Sequence, residues 1–285
     1  MKRILLSCLL VLSSLVPARA QPFRFTAIPD ENTARLKERF DKVASYLSGK
    51  LGVQVEYVPV KSYSASVAAF KNNQVQLAWF GGLSGVQARR AVPGAVAIAQ
   101  GEEDLLFVSY FIANTSTGLQ PAEDFPEGIK GRTFTFGSKG STSGRLMPEF
   151  FIRKHFNAAP KEVFRRVGFS GDHSKTLALV QSGSYEAGVL NYKVWENETR
   201  AGNVDTSKVR IIWKTPPYPD YNWTIRGDVQ EKYGKDFIRK VRNAFLGMTD
   251  QDLLNAFPRT RFIPADNTIY RPILETAIAV GIIEQ

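Results

Sequence analysis

Apolar positions along this chain switch repeatedly between a two-residue and a helical rhythm. Residues 23–28 alternate and predict a strand that Pro29 closes. Leu36, Phe40, Val43, Ala44 and Leu47 follow at helical spacing, with Asp30 or Asn32 able to cap the helix and Gly49 and Gly52 to end it. Residues 53–58 alternate again. Ser62 or Ser64 can cap a short helix through Val67 and Phe70. Residues 75–80 read as a near-continuous apolar strand broken by Gly81-Gly82, residues 83–90 as a helix, and 96–100 and 107–114 as strands. A second series places strands at 133–136, 164–167, 187–190 and 209–213, and helices at 146–155, 173–182 and 192–201. Pro216, Pro217 and Pro219 stiffen a turn, and helices at 236–246, 250–257 and 269–280 finish the chain.

Strands alternating with helices predict βαβ units on sheets that are mixed and largely parallel. In such open sheets ligands sit beyond the C-terminal strand ends. That rule gathers Pro29-Asp30, residues 59–63 and Gly81-Gly82 on one edge. Two such halves predict an α/β fold of two lobes closing on something between them, with a two-strand hinge. The crossings are expected near residues 113–116 and 213–217, so that 21–114 with 216–285 form lobe 1 and 115–215 form lobe 2.

Composition narrows the setting. With 44% hydrophobic and 22% charged residues the chain is globular. Lys2 and Arg3 precede a mostly apolar run from Ile4 to Val16, and Ala18-Arg19-Ala20 fits a cleavage site. Residues 1–20 therefore read as a secretory signal peptide, too short for a membrane span of roughly 18 or more apolar residues. The single cysteine, Cys8, lies inside it, so the mature chain has no disulfide, thiol nucleophile or cysteine-ligated metal. Removing Lys2, Arg3 and Arg19 takes the formal charge from +10 to +7. Only short basic pairs such as Arg89-Arg90 and Arg165-Arg166 contribute, so a nucleic-acid face is not expected; the diffuse excess suits capture of a small anion.

The most informative run is Phe136-Gly-Ser-Lys-Gly-Ser-Thr-Ser-Gly144. A strand that turns through glycine into a helix leaves main-chain N–H groups bare at the helix N-terminus, and Ser141, Thr142 and Ser143 add rotatable donors. The alternative is an ordinary capped βα turn. Of the two histidines, His155 ends a helix, whereas His173 opens one after a turn and can donate to an anion or serve as a solvated cap residue. Neither has a partner at metal-ligand spacing, so no metal or cofactor is expected. Residues 140–144 place Thr142, not serine, at the centre of a Gly-x-Ser-x-Gly elbow; a hydrolase using Ser143, His173 and Asp172 or Asp220 is the enzymatic alternative. Tyr63, Phe80, Tyr192 and Trp223 adjoin the loops and can wall a ligand.

In order through the mature chain, residues 25–29, 58–70, 77–82, 133–148, 171–180, 187–192 and 209–220 resemble the periplasmic solute-binding proteins of phosphonate/phosphite ABC importers, a type II two-lobed family. The most specific match is 135–144 followed by Pro148, with Leu77-Ala-Trp-Phe-Gly81 upstream and Gly171-Asp-His173 downstream. The resemblance implies that Ser141, Thr142 and Ser143 hold the oxyanion. It implies that Tyr63 and His173 also contact it, and that Asp220, Asn191 and Tyr192 line the site. Phe80 stands where the family often has tyrosine. Lys193 stands in or near the position of an acidic residue that pairs ligand amines, which implies an anion without an amine: phosphite, phosphate, methylphosphonate or a similar tetrahedral ion. A branch assigned to selenate shares the wording of several segments; Asp220 in the cleft would favour protonated phosphorus species over selenate. The implied role is a non-enzymatic, monomeric periplasmic binding protein that serves an ABC permease. An accessory of a membrane sensor kinase is the alternative partner reading.

Overall fold

The computed structural model describes residues 21–284; the expected signal peptide, with Cys8, lies outside them. The first half runs β1 (Phe23–Ala27), α1 (Thr33–Leu51), β2 (Val55–Tyr57), α2 (Tyr63–Lys71), β3 (Leu77–Phe80), α3 (Gly82–Ala91) and β4 (Val96–Gly101). It is Asn32, not Asp30, that caps α1, accepting the N–H groups of Ala34 and Arg35. Gly52 closes that helix at φ 68°, a conformation that costs glycine least.

The second half holds β5 (Ser109–Asn114), β6 (Thr133–Phe136), α4 (Met147–Phe156), α5 (Pro160–Val163), β7 (Arg166–Phe169), α6 (His173–Gln181), β8 (Ala187–Asn191), α7 (Tyr192–Arg200) and β9 (Val209–Lys214). The chain then returns through β10 (Asn222–Ile225), α8 (Val229–Tyr233), α9 (Phe237–Leu246), α10 (Gln251–Ala256), β11 (Phe262–Pro264) and α11 (Arg271–Ala279). The sheets have strand orders β11-β4-β10-β3-β1-β2 and β7-β6-β8-β5-β9. Helix-linked pairs such as β1–β3 and β6–β8 are parallel, and the returning strands pair antiparallel.

Three details depart from the sequence pattern. The strand expected to end the first half, β5, is hydrogen-bonded between β8 and β9, so the change of sheet falls before Ser109 and not at 113–116. The strand expected at 164–167 lies at Arg166–Phe169, because Pro160 opens the short α5 and Phe164 is drawn onto Phe134, ring centroids 4.5 Å apart. Strands β10 and β11 were not foreseen. β10 carries two buried polar residues, Asn222 and Thr224, that look loop-like in sequence; inside the sheet Arg89 Nη1 donates to both, at 3.0 and 2.8 Å.

Trp223 centres the first core, against Trp79, Phe25, Phe40 and Phe245. Phe111 and Trp213 anchor the second, with Phe125 and Phe134 around them. Between the sheets the two crossing segments pair with each other through Phe107 and Tyr218. Asp104 fixes both segments. Its main-chain oxygen accepts the Asp220 N–H at 2.9 Å, and its buried carboxylate takes Arg259 in a fork at 2.9 and 2.7 Å. Gly101 leaves the necessary room, since a Cβ there would stand 2.5 Å from Arg259 Cδ.

Asp104→Asn should cost about 3–5 kcal/mol by stranding the buried guanidinium. Arg261→Ala, which breaks the exposed pair with Glu102, should cost under about 1 kcal/mol. Urea unfolding of both variants checks the contrast.

Candidate functional site

Both sheets turn the C-terminal ends of their helix-linked strands toward one seam, so α1, α2, α3, α4, α6 and α7 all begin there. The glycine-hydroxyl run lies at its centre. After β6, residues Thr142–Leu146 form a π-helical turn before α4, with Leu146 N–H reaching Ser141 O at 3.0 Å. Such turns recur at functional sites because they re-aim side chains. Ser141 Oγ accepts the Gly144 N–H at 2.9 Å. Thr142 Oγ1 accepts the Leu83 N–H of α3 at 2.9 Å, joining the two halves of the chain. Among the described residues nothing accepts the N–H of Thr142 or Ser143. Gly144 is required: a Cβ there would lie 2.9 Å from His173 Cε1 and 3.0 Å from Ser141 Oγ.

His173 is fully buried. Its main-chain N–H donates to Asp30 O at 2.9 Å, and its Nδ1 accepts the Asn191 N–H at 3.2 Å. That contact puts the ring proton on Nε2, which has no partner. Tyr63 Oη and Ser143 Oγ are likewise buried and unpaired. So is Asp220 Oδ2, while Asp220 Oδ1 accepts the Gly82 N–H at 2.8 Å. The sequence-predicted residues Tyr63, Ser141, Thr142, Ser143, His173, Asn191 and Asp220 are thus gathered at one buried place.

Two residues that sequence reasoning left out of the site join them. Asp30 is buried with Oδ1 unpaired, and Tyr221 donates to its Oδ2 at 2.8 Å while accepting from Asn191 Nδ2 at 2.9 Å. The signal for Asp30 was its place in the loop after β1; the capping role considered for it belongs to Asn32. Phe80 forms an edge-to-face pair with Phe70, at 5.6 Å between centroids. The Tyr192 ring meets Phe107 at 4.8 Å on the side of the crossing segments. Lys193 sits over Tyr192 and bonds Glu196, lining an outer groove with Glu103 and Arg200, so the structure does not support the expected exclusion of amines by its charge.

Burial governs the electrostatics. It raises Asp220 from 3.8 to about 7, against the pull of the Gly82 N–H and the Thr142 hydroxyl. It raises Asp30 to about 6, with Glu31 adding to the effect and Arg39 opposing it. It pushes the Tyr63 phenol well above its usual range, and lowers His173 from 6.5 to about 4, leaving a neutral donor. The site therefore offers an excess of N–H and O–H donors, together with carboxyl groups that hold or share protons near neutral pH. His173 hydrogen-bonds neither Ser143 nor a carboxylate, so it does not form the Ser-His-Asp relay of the hydrolase alternative.

Because the folded state holds the Asp220 proton more tightly than the unfolded chain, this support for the fold is whole below about pH 4. It is lost as pH rises through about 7. His173 runs the other way, its contribution whole above 6.5 and lost as pH falls through about 4. Asp220→Asn removes only the first effect. Without ligand the variant should exceed the parent by on the order of 2 kcal/mol at about pH 8, and lose that advantage at about pH 4, in urea midpoints measured across the range.

Residues 25–270 match the family model for the periplasmic phosphonate substrate-binding protein of ABC transporters. The chain is 38% identical over 278 residues to a probable ABC transporter phosphite-binding protein, PhnD1, of Prochlorococcus marinus strain MIT 9301, covering 93% of this chain and 92% of that one. The solved structure of that organism's PhnD1, in complex with methylphosphonate, superimposes with a TM-score of 0.87 over 92% of this chain and 98% of the other. A phosphate-import protein of Mycolicibacterium smegmatis is 28% identical over 77% of this chain and 69% of its own length. The seam with its hydroxyl run is thus set in a shared framework, and the chain belongs to the family of periplasmic phosphonate substrate-binding proteins of ABC transporters.

Proposed function

We propose that this protein captures a small, protonatable tetrahedral phosphorus oxyanion, of the phosphite or methylphosphonate class, between its two halves and hands it to an ABC permease. The observation that carries this reading is the convergence of four buried, unpaired polar atoms: Tyr63 Oη, Ser143 Oγ, His173 Nε2 and Asp220 Oδ2. Ser143 and His173 come from the second half, and Tyr63 and Asp220 from the first half and the crossing segment. A guest touching both sides favours the closed arrangement over an open one. The donors neutralise the anion, helped by the amides of Thr142 and Ser143 at the positive end of a helix. Asp220 reads the proton. A phosphite or phosphonate monoanion carries one to share with its carboxylate, whereas sulfate and selenate carry none at neutral pH. The names of the 38% identical relatives support the ligand class.

We place the hinge at the crossings through Phe107 and Tyr218, with the lobes exchanging before Ser109 and after Thr215. The chain works as a periplasmic monomer in this reading. Closure is secured at the rim by Arg35 of α1 bonding Glu198 of α7 at 2.5 Å, an ion pair joining the two halves. Glu198 is also held by Ser174 and Asn203 on its own side, so it stays ordered if the rim opens.

Ser143→Ala is the cleanest test, because that hydroxyl forms no well-aligned hydrogen bond within the protein and only lies near Asp220 and Tyr218. It should leave thermal stability nearly unchanged while weakening phosphite or methylphosphonate binding by about 1.5–3 kcal/mol, roughly 10- to 150-fold in calorimetric affinity. Parent affinity should fall as pH rises through about 7 and Asp220 ionises. Unchanged affinity in the variant, or tighter binding of sulfate and selenate than of any phosphorus species at neutral pH, would reject the reading. Arg35→Ala should speed ligand release several-fold with little effect on capture, since the pair forms after contact; stopped-flow tryptophan fluorescence, with Trp79 stacked on Tyr221, reports both rates.

A further inference from the structure

Helix α3 begins at the seam and ends on the far side of its sheet, beside α11. A cavity of about 370 Å³ lies there, and Val86, Arg89, Arg90, Tyr270, Arg271 and Leu274 are among its walls. Arg90 and Arg271 are exposed, so solvent screens their charges, whereas the half-buried Arg89 beside them is screened less. Among the described residues none of the three forms an ion pair. Arg90 reaches only the main-chain oxygen of Glu284, at 3.3 Å. Of the acidic residues near the cavity wall in sequence, Asp266 spends its carboxylate on Thr268 and the Ile269 N–H, while Glu275, i+4 from Arg271, and Glu284, beside Arg90, form no ion pair with these arginines.

Arg89 is fixed and half satisfied. Nη1 is turned inward to Asn222 and Thr224, and the guanidinium lies 4.8 Å over the Tyr270 ring. Nη2 is buried and has no partner. Gly85, one turn earlier, makes the placement possible, since a Cβ there would stand 2.9 Å from Nη1. Burial without a carboxylate lowers this arginine to about 10, where a nearby anion would restore it. Val86 and Leu274 give the same cavity an apolar wall.

We propose that this cavity is a second anion site, separate from the seam, taking a small organic anion. Its phosphate or carboxylate head meets the guanidiniums of Arg89 and Arg271, and its short apolar body lies on Val86 and Leu274. A planar fork of N–H donors suits either head group.

The test is an NMR titration of the mature chain with phenylphosphate, benzoate and inorganic phosphate, read at the amides of residues 86–90 and 268–274. These amides are distinct from residues 141–144 at the seam, so failure here is distinguishable from failure of the transport reading. Saturable shifts with a dissociation constant near about 1 mM or below are expected for phenylphosphate or benzoate. Inorganic phosphate, without an apolar part, should bind more weakly. Arg271→Gln, at an exposed helix start where folding is not at risk, should weaken binding about tenfold. Shifts that never saturate, equal affinity for inorganic phosphate, or binding unchanged in Arg271→Gln would overturn the proposal. Arg89→Lys serves as a second variant. It keeps one charge but loses the fork, and an unaltered titration in it would count equally against the site.

Discussion

The first amides of a helix have no partner inside that helix, and in this chain six helices start on one seam. That constraint organises the rest. Some of these amides are answered from within: Asn32, Ser62, Ser141, Asp172 and Asn191 each cap the helical turn they precede. Others are answered across the seam, Gly82 by Asp220 and Leu83 by Thr142. Among the amides left unanswered by protein are those of Thr142 and Ser143, beside an imidazole and two hydroxyl-bearing side chains in the same condition. Leaving a buried donor unpaired costs about 1–3 kcal/mol. A fold that buries several together has placed them for a guest, since scattered defects would not converge.

Closure and recognition use the same residues. Asp220 and Tyr221 lie on the returning crossing segment, immediately after the pairing of Tyr218 with Phe107. Asp104 holds that segment by its main chain, and Arg259 holds Asp104. Tyr221 in turn links Asn191 at the end of β8 to Asp30 after β1, so one phenol touches both halves. In the proposed reading, movement of the crossing segment would reposition the Asp220 carboxylate, and a change in how that carboxylate is paired would be felt where the halves turn. Affinity and closure are one equilibrium seen from two sides.

Much of this was legible in the sequence, and the losses have identifiable causes. Helix α1 was recoverable because Leu36, Phe40, Val43 and Leu47 are all buried and their spacing says so. The hydroxyl run was legible because glycine-broken strand-to-helix turns have few alternatives. β10 was not, because Asn222 and Thr224 are polar residues made strand-compatible only by Arg89, which lies far away in the chain. The placement of β5 escaped because its six residues are all buried, and a strand buried on both faces carries no mark of which sheet it joins. Asp30 escaped because a carboxylate before a helix looks like a cap; only the structure shows Asn32 filling that role. Tyr192 and Phe80 adjoin the site in sequence, and their rings pack on Phe107 and Phe70.

The same direct contacts bound the size of the guest. Thr142 touches Leu83, His173 touches Asp30, and Asn191 touches Tyr221 without any bridging group. Each joins opposite sides of the seam at hydrogen-bond distance, so together they fix how near the halves come. A guest too large for that spacing would have to part at least one of these pairs, exposing its donor without a replacement. The loss would be charged to the closed state alone, since an open seam has already broken them. In the proposed reading, selection by size rests on where the halves touch and selection for a proton rests on Asp220. The first is a matter of shape and the second of charge, and the two are set by different residues.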